Sequence, residues 1–206
     1  MTDPVDLEAY LDPNKRIQMK LEMSLSGLGK TGVVLAIIDA IEYSDANAGL
    51  VRYFEKADMP GVIVSVNKPL VDLICKLPPT PFVQNKIEFV DCISQMSGAP
   101  ELEGPHYNYL ESPQQLVELS VLLNKLFQKI EGNKFLVVDS LSTLLIYNKP
   151  EAITKFVHSI ANKIRTEKVL GVLLIIKTED NMDVIKILSQ FSDSVIEVRD
   201  HQASLK

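Results

Sequence analysis

Cysteine is scarce in this chain of 206 residues, and so is histidine: only Cys75 and Cys92 and the three histidines His106, His158 and His201 are present. Two cysteines are too few for a disulfide framework, and they lie too far along the chain from the histidines to form a metal-ligand pattern. Both are therefore expected as reduced thiols packed in or near the core. No apolar run approaches the roughly 20 residues needed to cross a bilayer, and the first residues carry neither a basic leader nor an apolar stretch. A cytoplasmic location is expected, with no membrane contact. Basic residues are also outnumbered: 21 Lys and Arg against 27 Asp and Glu give a formal net charge of -6 and a pI near 5.1. Such a chain lacks the clustered cations that neutralise nucleic-acid phosphates, so nucleic acid is not an expected partner.

What is present is a composition of 46% hydrophobic and 23% charged residues, enough to bury one substantial core without low-complexity segments. Short apolar, β-branched runs recur at Val33 to Ile38, Val62 to Val66, Ile87 to Val90, Phe135 to Val138, Val172 to Ile176 and Val195 to Val198. They suit buried strands, and the longer amphipathic stretches between them suit helices. Strands alternating with helices imply right-handed crossovers, hence an α/β fold: a three-layer α/β/α arrangement around a mainly parallel sheet. Leu116, Leu119, Leu122, Leu123, Leu126, Phe127 and Ile130 share one helical face, with Gly132 as a stop. A second helix follows Tyr147, where Asn148 and Glu151 have capping-box spacing and Pro150 suits the first turn. Residues 98–113 have no periodicity and read as a long loop. Residues 1–26 read as an N-terminal arm, with a short helix and then a segment that could be extended; residues 27–206 form the domain.

The string Ser24-Leu-Ser-Gly27-Leu-Gly29-Lys30-Thr31 invites comparison with a phosphate-binding loop, which needs G-x-x-x-x-G-K-[ST] between a strand and a helix. Ser24 stands where the first glycine belongs, and the residues after Thr31 read as a strand. The alternative is a Gly-rich turn into the first strand, which the context favours.

Several segments together resemble the KaiC-like branch of the RecA superfamily, abundant in archaea. Gly27-Leu-Gly-Lys-Thr-Gly32 is similar to the turn leading into that family's first core strand. The resemblance then places the phosphate loop at Ala40-Ile-Glu-Tyr-Ser-Asp-Ala-Asn47, where every glycine and the lysine are gone. Gly61-Val-Ile-Val-Ser-Val66 resembles the second strand, but Asn67 and Lys68 replace the paired glutamates that activate water. Phe135-Leu-Val-Val-Asp139-Ser140-Leu-Ser142-Thr143 is close to the Walker B strand, whose aspartate holds magnesium. Phe191 to Val198 resembles the closing strand.

The resemblance implies a degenerate nucleotide site. Glu42 and Asp45 would repel ATP where a phosphate loop supplies cations and amide donors. Asp139 is a metal candidate, and capping of the next turn is the plainer alternative for Asp139 and Ser140. Glu42, Tyr43, Asp45 and Asn47 could form an acidic pocket with Asp139, or a solvated turn. Lys68, beside Asn67, could pair with an acid or contact an anion, or serve only the proline turn that follows. His158 lies off the apolar face of its helix and is expected to be exposed.

Three functions follow. The first is a non-catalytic scaffold or signalling domain, with a protein partner or a second copy of itself, since active relatives form rings. The second is a nucleotide or small-molecule sensor using Asp139, Asn67 and the 98–113 loop. The third is an ATPase using Gly27 to Thr31, which requires a helix directly after Thr31. No cofactor is expected under the first; ATP with magnesium belongs to the third.

Overall fold

The computed structural model describes residues 21–40, 43–199 and 202–205, and these form an eight-stranded sheet covered by helices on both faces. In chain order the elements are α1 (residues 21–26), β1 (Gly32–Ile38), α2 (Tyr43–Lys56), β2 (Gly61–Ser65), α3 (Leu70–Ile74), α4 (Pro81–Asn85), β3 (Ile87–Asp91) and α5 (Ser94–Ser97). They continue with β4 (Tyr107–Tyr109), α6 (Leu116–Lys129), β5 (Lys134–Asp139), α7 (Leu141–Tyr147), α8 (Pro150–Thr166), β6 (Val169–Ile176), α9 (Met182–Ser189), β7 (Ser194–Arg199) and β8 (Gln202–Leu205). The strand order is β4-β3-β2-β5-β6-β1-β7-β8, parallel throughout except for the antiparallel β7–β8 pair. This is a three-layer, RecA-like α/β sheet.

The layering follows from strand alternation. Successive side chains point to opposite faces, so a strand buried on both sides must be apolar throughout. Val34, Ala36 and Ile38 of β1 face α1 to α4, with Leu50, Phe54, Leu70 and Phe82. Val33, Leu35 and Ile37 face α6 to α9, with Leu123, Phe127, Ile160 and Leu188. On the first face Phe54 stacks on Phe135 with ring centroids 4.0 Å apart and planes 11° apart. That stack lies against the start of β2, where a Cβ on Gly61 would sit 2.4 Å from the Phe135 ring and from its carbonyl oxygen. Only glycine fits there.

Several expectations need correction. The 98–113 stretch is not structureless: it holds β4 at the sheet edge, and Tyr109 Oη accepts from Leu102 N at 2.7 Å. Residues 21–24 are helical, not extended, and Leu21 and Leu25 are buried in the core. The rest of the expected arm lies outside the described residues. Asn148 is not the α8 N-cap. Pro150 occupies the first helical position, so Lys149 is the cap, and Asn148 instead donates to the carbonyls of Pro113 and Leu144, both at 3.0 Å. Cys75 is exposed, while Cys92 is buried, which pushes its thiol up to about 12. His158 is exposed, as its position predicts, and its ring packs edge-on against Phe191.

Candidate functional site

Gly32–Ile38 is a strand, so Gly27 to Thr31 leads into β1 and not into a helix. This overturns the reading of that string as a shortened phosphate loop. The turn has its own structural account. Gly32 has φ +134°, Asp193 accepts from the next amide, Val33 N, at 2.7 Å, and the Asp193 carboxylate also takes Arg165 Nη2 at 3.0 Å. Partial burial pushes the Asp193 carboxyl up, but the Val33 amide and the Arg165 guanidinium outweigh it and hold it below the usual range.

In parallel α/β sheets a ligand crevice lies beyond the carboxyl ends of the strands. Here β1 ends at Ile38 and α2 starts at Tyr43, leaving Asp39, Ala40, Ile41 and Glu42 as the whole connection. It contains no glycine and no cation. Glu42 lies outside the described residues. Asp45 falls on the first turn of α2, and its side chain lies outside the described residues as well.

The register brings Asp91, Ser65 and Asp139 side by side at the ends of β3, β2 and β5. Each has a different task. Asp91 is fully buried and accepts from Leu70 N at 2.6 Å, Ile93 N at 2.7 Å, Ser94 N at 2.8 Å and Ser94 Oγ at 2.6 Å. It fixes the entry to α3. Ser65 Oγ donates to Lys68 O at 2.6 Å and closes the turn that carries Asn67 and Lys68.

Asp139 is 3% exposed, and Asn47 Nδ2 donates to its Oδ2 at 2.9 Å. Its Oδ1 has no hydrogen-bond partner among the described residues. Burial pushes this carboxyl up to about 8. The chain leaves β5 through a cis peptide bond between Asp139 and Ser140. Ser140 is the N-cap residue of α7, but its side chain does not cap; its Oγ lies 3.3 Å from Thr143 Oγ1.

Of the residues expected at the crevice, Asn47, Lys68 and Asp139 line one cavity of about 160 Å³, together with Tyr43 and Lys76. Lys68 Nζ lies 5.7 Å from the Tyr43 ring centroid, a cation–π contact. Burial lowers the Lys68 pKa and so does adjacent Lys76, against an opposing pull from Asp72. Asn67 does not join them. It lines a separate cavity of about 440 Å³ with Ser142, Thr143, Ile146, Ile176 and Val184. The 98–113 stretch belongs to the β4 edge, beyond β3 and β2 from Asp139. The three parts of the expected sensor crevice are therefore not brought together. Among the described residues no group of three or more His, Cys, Asp and Glu is arranged to hold a metal, and no helix is long and apolar enough to cross a membrane.

Sequence reasoning missed Lys76 and Asp91. A lysine just past a short helix carries no signal of its own, and Asp91 ends a strand much as Asp139 does.

No curated protein matches this sequence. Among solved structures, the Pyrococcus horikoshii OT3 protein PH0250 superposes with a TM-score of 0.63 at 15% identity, covering 90% of this chain and 91% of its own. The uncharacterized Pyrococcus horikoshii protein PH0321, solved in complex with an unknown peptide, superposes with a TM-score of 0.62 at 16% identity, covering 91% and 86%. At such identities the likeness is one of fold. Residues 52–198, from α2 to β7 and including Asp139, match the model of the family of unknown function DUF7504, and the chain belongs to that family.

Proposed function

We infer that this chain is a non-catalytic RecA/KaiC-like domain that acts as a scaffold or regulatory partner of another protein. The observation that carries the reading is the β1–α2 connection. In sequence that connection holds Asp39 and Glu42 and neither glycine nor lysine, where transferred phosphates would need cations and a glycine-rich nest of amide donors, and Asn47 Nδ2 donates to one oxygen of Asp139. Asn67 and Lys68 follow β2 in place of a general base.

A partner surface is available on α6. Val117 is 73% exposed and Val121 51% exposed. They contribute to an apolar groove of about 500 Å³ against α8 on one side and to a second of about 440 Å³ beside β4 on the other. The cations on these grooves are Lys125, Lys155 and Lys163, against Glu118 alone as an acid. A second copy would bring the same excess of positive charge to the contact, so the favoured occupant is an apolar segment of another protein with acidic flanks. That a protein of this fold was solved with a peptide supports peptide docking as a use of such a scaffold.

A photocrosslinking residue at Val117, in cells of the source organism, tests this. Capture of one heterologous protein, lost on Val121→Glu, is expected. A self-adduct alone, or capture indifferent to Val121→Glu, contradicts the proposal.

A further inference from the structure

On one side the sheet ends at β4, which pairs with β3 and has no strand on its outer edge among the described residues. Tyr107, Asn108 and Tyr109 run parallel to β3 in register with Phe89, Val90 and Asp91. Phe89 N donates to His106 O at 2.8 Å, and Leu110 N donates to Asp91 O at 2.8 Å. In a strand the N–H and C=O of one residue point to the same side, and that side alternates along the chain. His106, Asn108 and Leu110 therefore aim their backbone groups at β3, and Tyr107 and Tyr109 aim theirs away from the sheet. Tyr107 N turns back to Gly104 O at 3.4 Å. The carbonyl of Tyr107 and both backbone groups of Tyr109 are left without a partner among the described residues.

An edge strand that must stay unpaired is commonly guarded by a lysine or a proline. β4 reads Tyr-Asn-Tyr and carries neither. It also forms one wall of the groove of about 440 Å³ whose other wall is α6, with Val117, Val121 and Leu122. The side chains of Tyr107 and Tyr109 pack with the first face of the sheet, and Leu110 packs with the α6 face. A strand laid along β4 would alternate in the same way, so every second side chain would project on the α6 side, towards this groove.

Edge and groove together define one occupant. Backbone donors and acceptors at strand spacing are matched by another extended chain, because a helix has already paired its own. A groove on one face of that chain is matched by apolar side chains at alternate positions. Lys125 here, with Lys155 and Lys163 on the groove across α6, outnumbers Glu118, so acidic ends complement the surface. A second copy would bring the same excess of positive charge.

We propose that the partner protein adds one extended segment as a further strand outside β4, with apolar residues at alternate positions towards the α6 groove and acidic residues at its ends. N–H groups of the segment donate to Tyr107 O and Tyr109 O, and Tyr109 N donates to one of its carbonyls. These bonds form whether the segment runs parallel or antiparallel to β4. The proposal rests on the scaffold reading and names the form of segment that the scaffold takes.

The test is fluorescence anisotropy of the full chain with a labelled peptide of alternating valine and threonine, with an aspartate at each end. Beside it runs a peptide with the same ends and leucine at helical spacing. Two further forms of the alternating peptide are N-methylated on one or the other set of alternate residues. Saturable binding of the alternating peptide is expected, abolished by one methylation pattern and kept by the other, because only every second N–H meets β4. Tyr109→Pro removes the outward N–H and suits an edge strand, and it should weaken binding at least tenfold, as should Val121→Glu. Tyr109→Phe loses only the hydroxyl bonds to Leu102 and should bind like wild type. Amide exchange at Tyr109 in the wild type, which needs no variant to fold, should slow when the peptide is added. No saturable binding, loss with both methylation patterns or with neither, or an unchanged exchange rate at Tyr109 overturns the proposal. Preference for the helical peptide, lost on Val121→Glu but not on Tyr109→Pro, overturns strand addition and leaves the scaffold reading standing; failure of that reading shows separately, in the Val117 capture. A dimer of the chain alone that Tyr109→Pro dissociates assigns the edge to a second copy and overturns the proposal too.

Discussion

Asp139→Asn should make the protein more stable, and by an amount that depends on pH. The buried carboxyl has one donor, Asn47, and one oxygen without a partner among the described residues, and its pKa is pushed from 3.8 up to about 8. The folded state therefore holds a proton that the unfolded chain has lost between those two values. Because the native state binds more protons in that window, stability falls as pH rises through it, by about 1.36 kcal/mol per unit. Over some four units the loss is on the order of 5 kcal/mol, complete above about pH 8 and absent below about pH 4. Asparagine keeps the shape and cannot ionise. The two proteins should be nearly equal at about pH 4 and below, and the variant should lead increasingly up to about pH 8 and hold that lead above it. The assay is urea unfolding of both proteins across this range in phosphate-free buffers, comparing midpoints at constant slope. A stability difference that stays flat from pH 5 to pH 9, or a variant that is weaker throughout, would refute the reasoning.

Two glycines should differ in what they tolerate. Gly61→Ala meets the Phe135 ring and backbone carbonyl at 2.4 Å and should cost roughly 3 kcal/mol. Gly171→Ala meets only the Ile164 side chain, nearest at its terminal methyl at 2.4 Å and with no backbone atom in the way, and should cost roughly 1 kcal/mol; denaturant unfolding that ranks them the other way contradicts the packing account. Glu88 ties β3 to His106 at 2.9 Å and to Lys129 of α6 at 2.7 Å. Burial alone would raise its carboxyl, but Lys129 and then His106 lower it below the ordinary 4.5. Its contribution is thus present above that value and lost as pH falls through the depressed one. Glu88→Gln should cost about 1–3 kcal/mol at pH 7, and the gap to wild type should close in acid, as followed by unfolding at pH 7 and pH 3.

The central strands were legible because burial on both faces demands continuous apolar runs: β1, β2, β3, β5, β6 and β7 all fall on runs visible in the sequence. The outer strands were not. β4 is three residues at an edge, half-buried, with the pattern Tyr-Asn-Tyr, and β8 is a short antiparallel return. At α8 the spacing of Asn148 and Glu151 suggested a capping box, yet Pro150 at the first position makes its neighbour Lys149 the cap. The missing phosphate loop could be seen in the sequence; what replaces it could not. Asn47, Lys68 and Asp139 were visible as residues near strand ends, but Asn67 stands two residues beyond Ser65 and turns to another cavity. Lys76, two residues past the end of α3, lines the same cavity, a proximity that its sequence position alone does not reveal.

The most direct test of the central claim is calorimetric titration with ATP and magnesium, run beside Lys30→Ala and Asp139→Ala. The account predicts no binding at millimolar ATP in any of the three proteins. Saturable ATP binding that is lost on Lys30→Ala or on Asp139→Ala would contradict it.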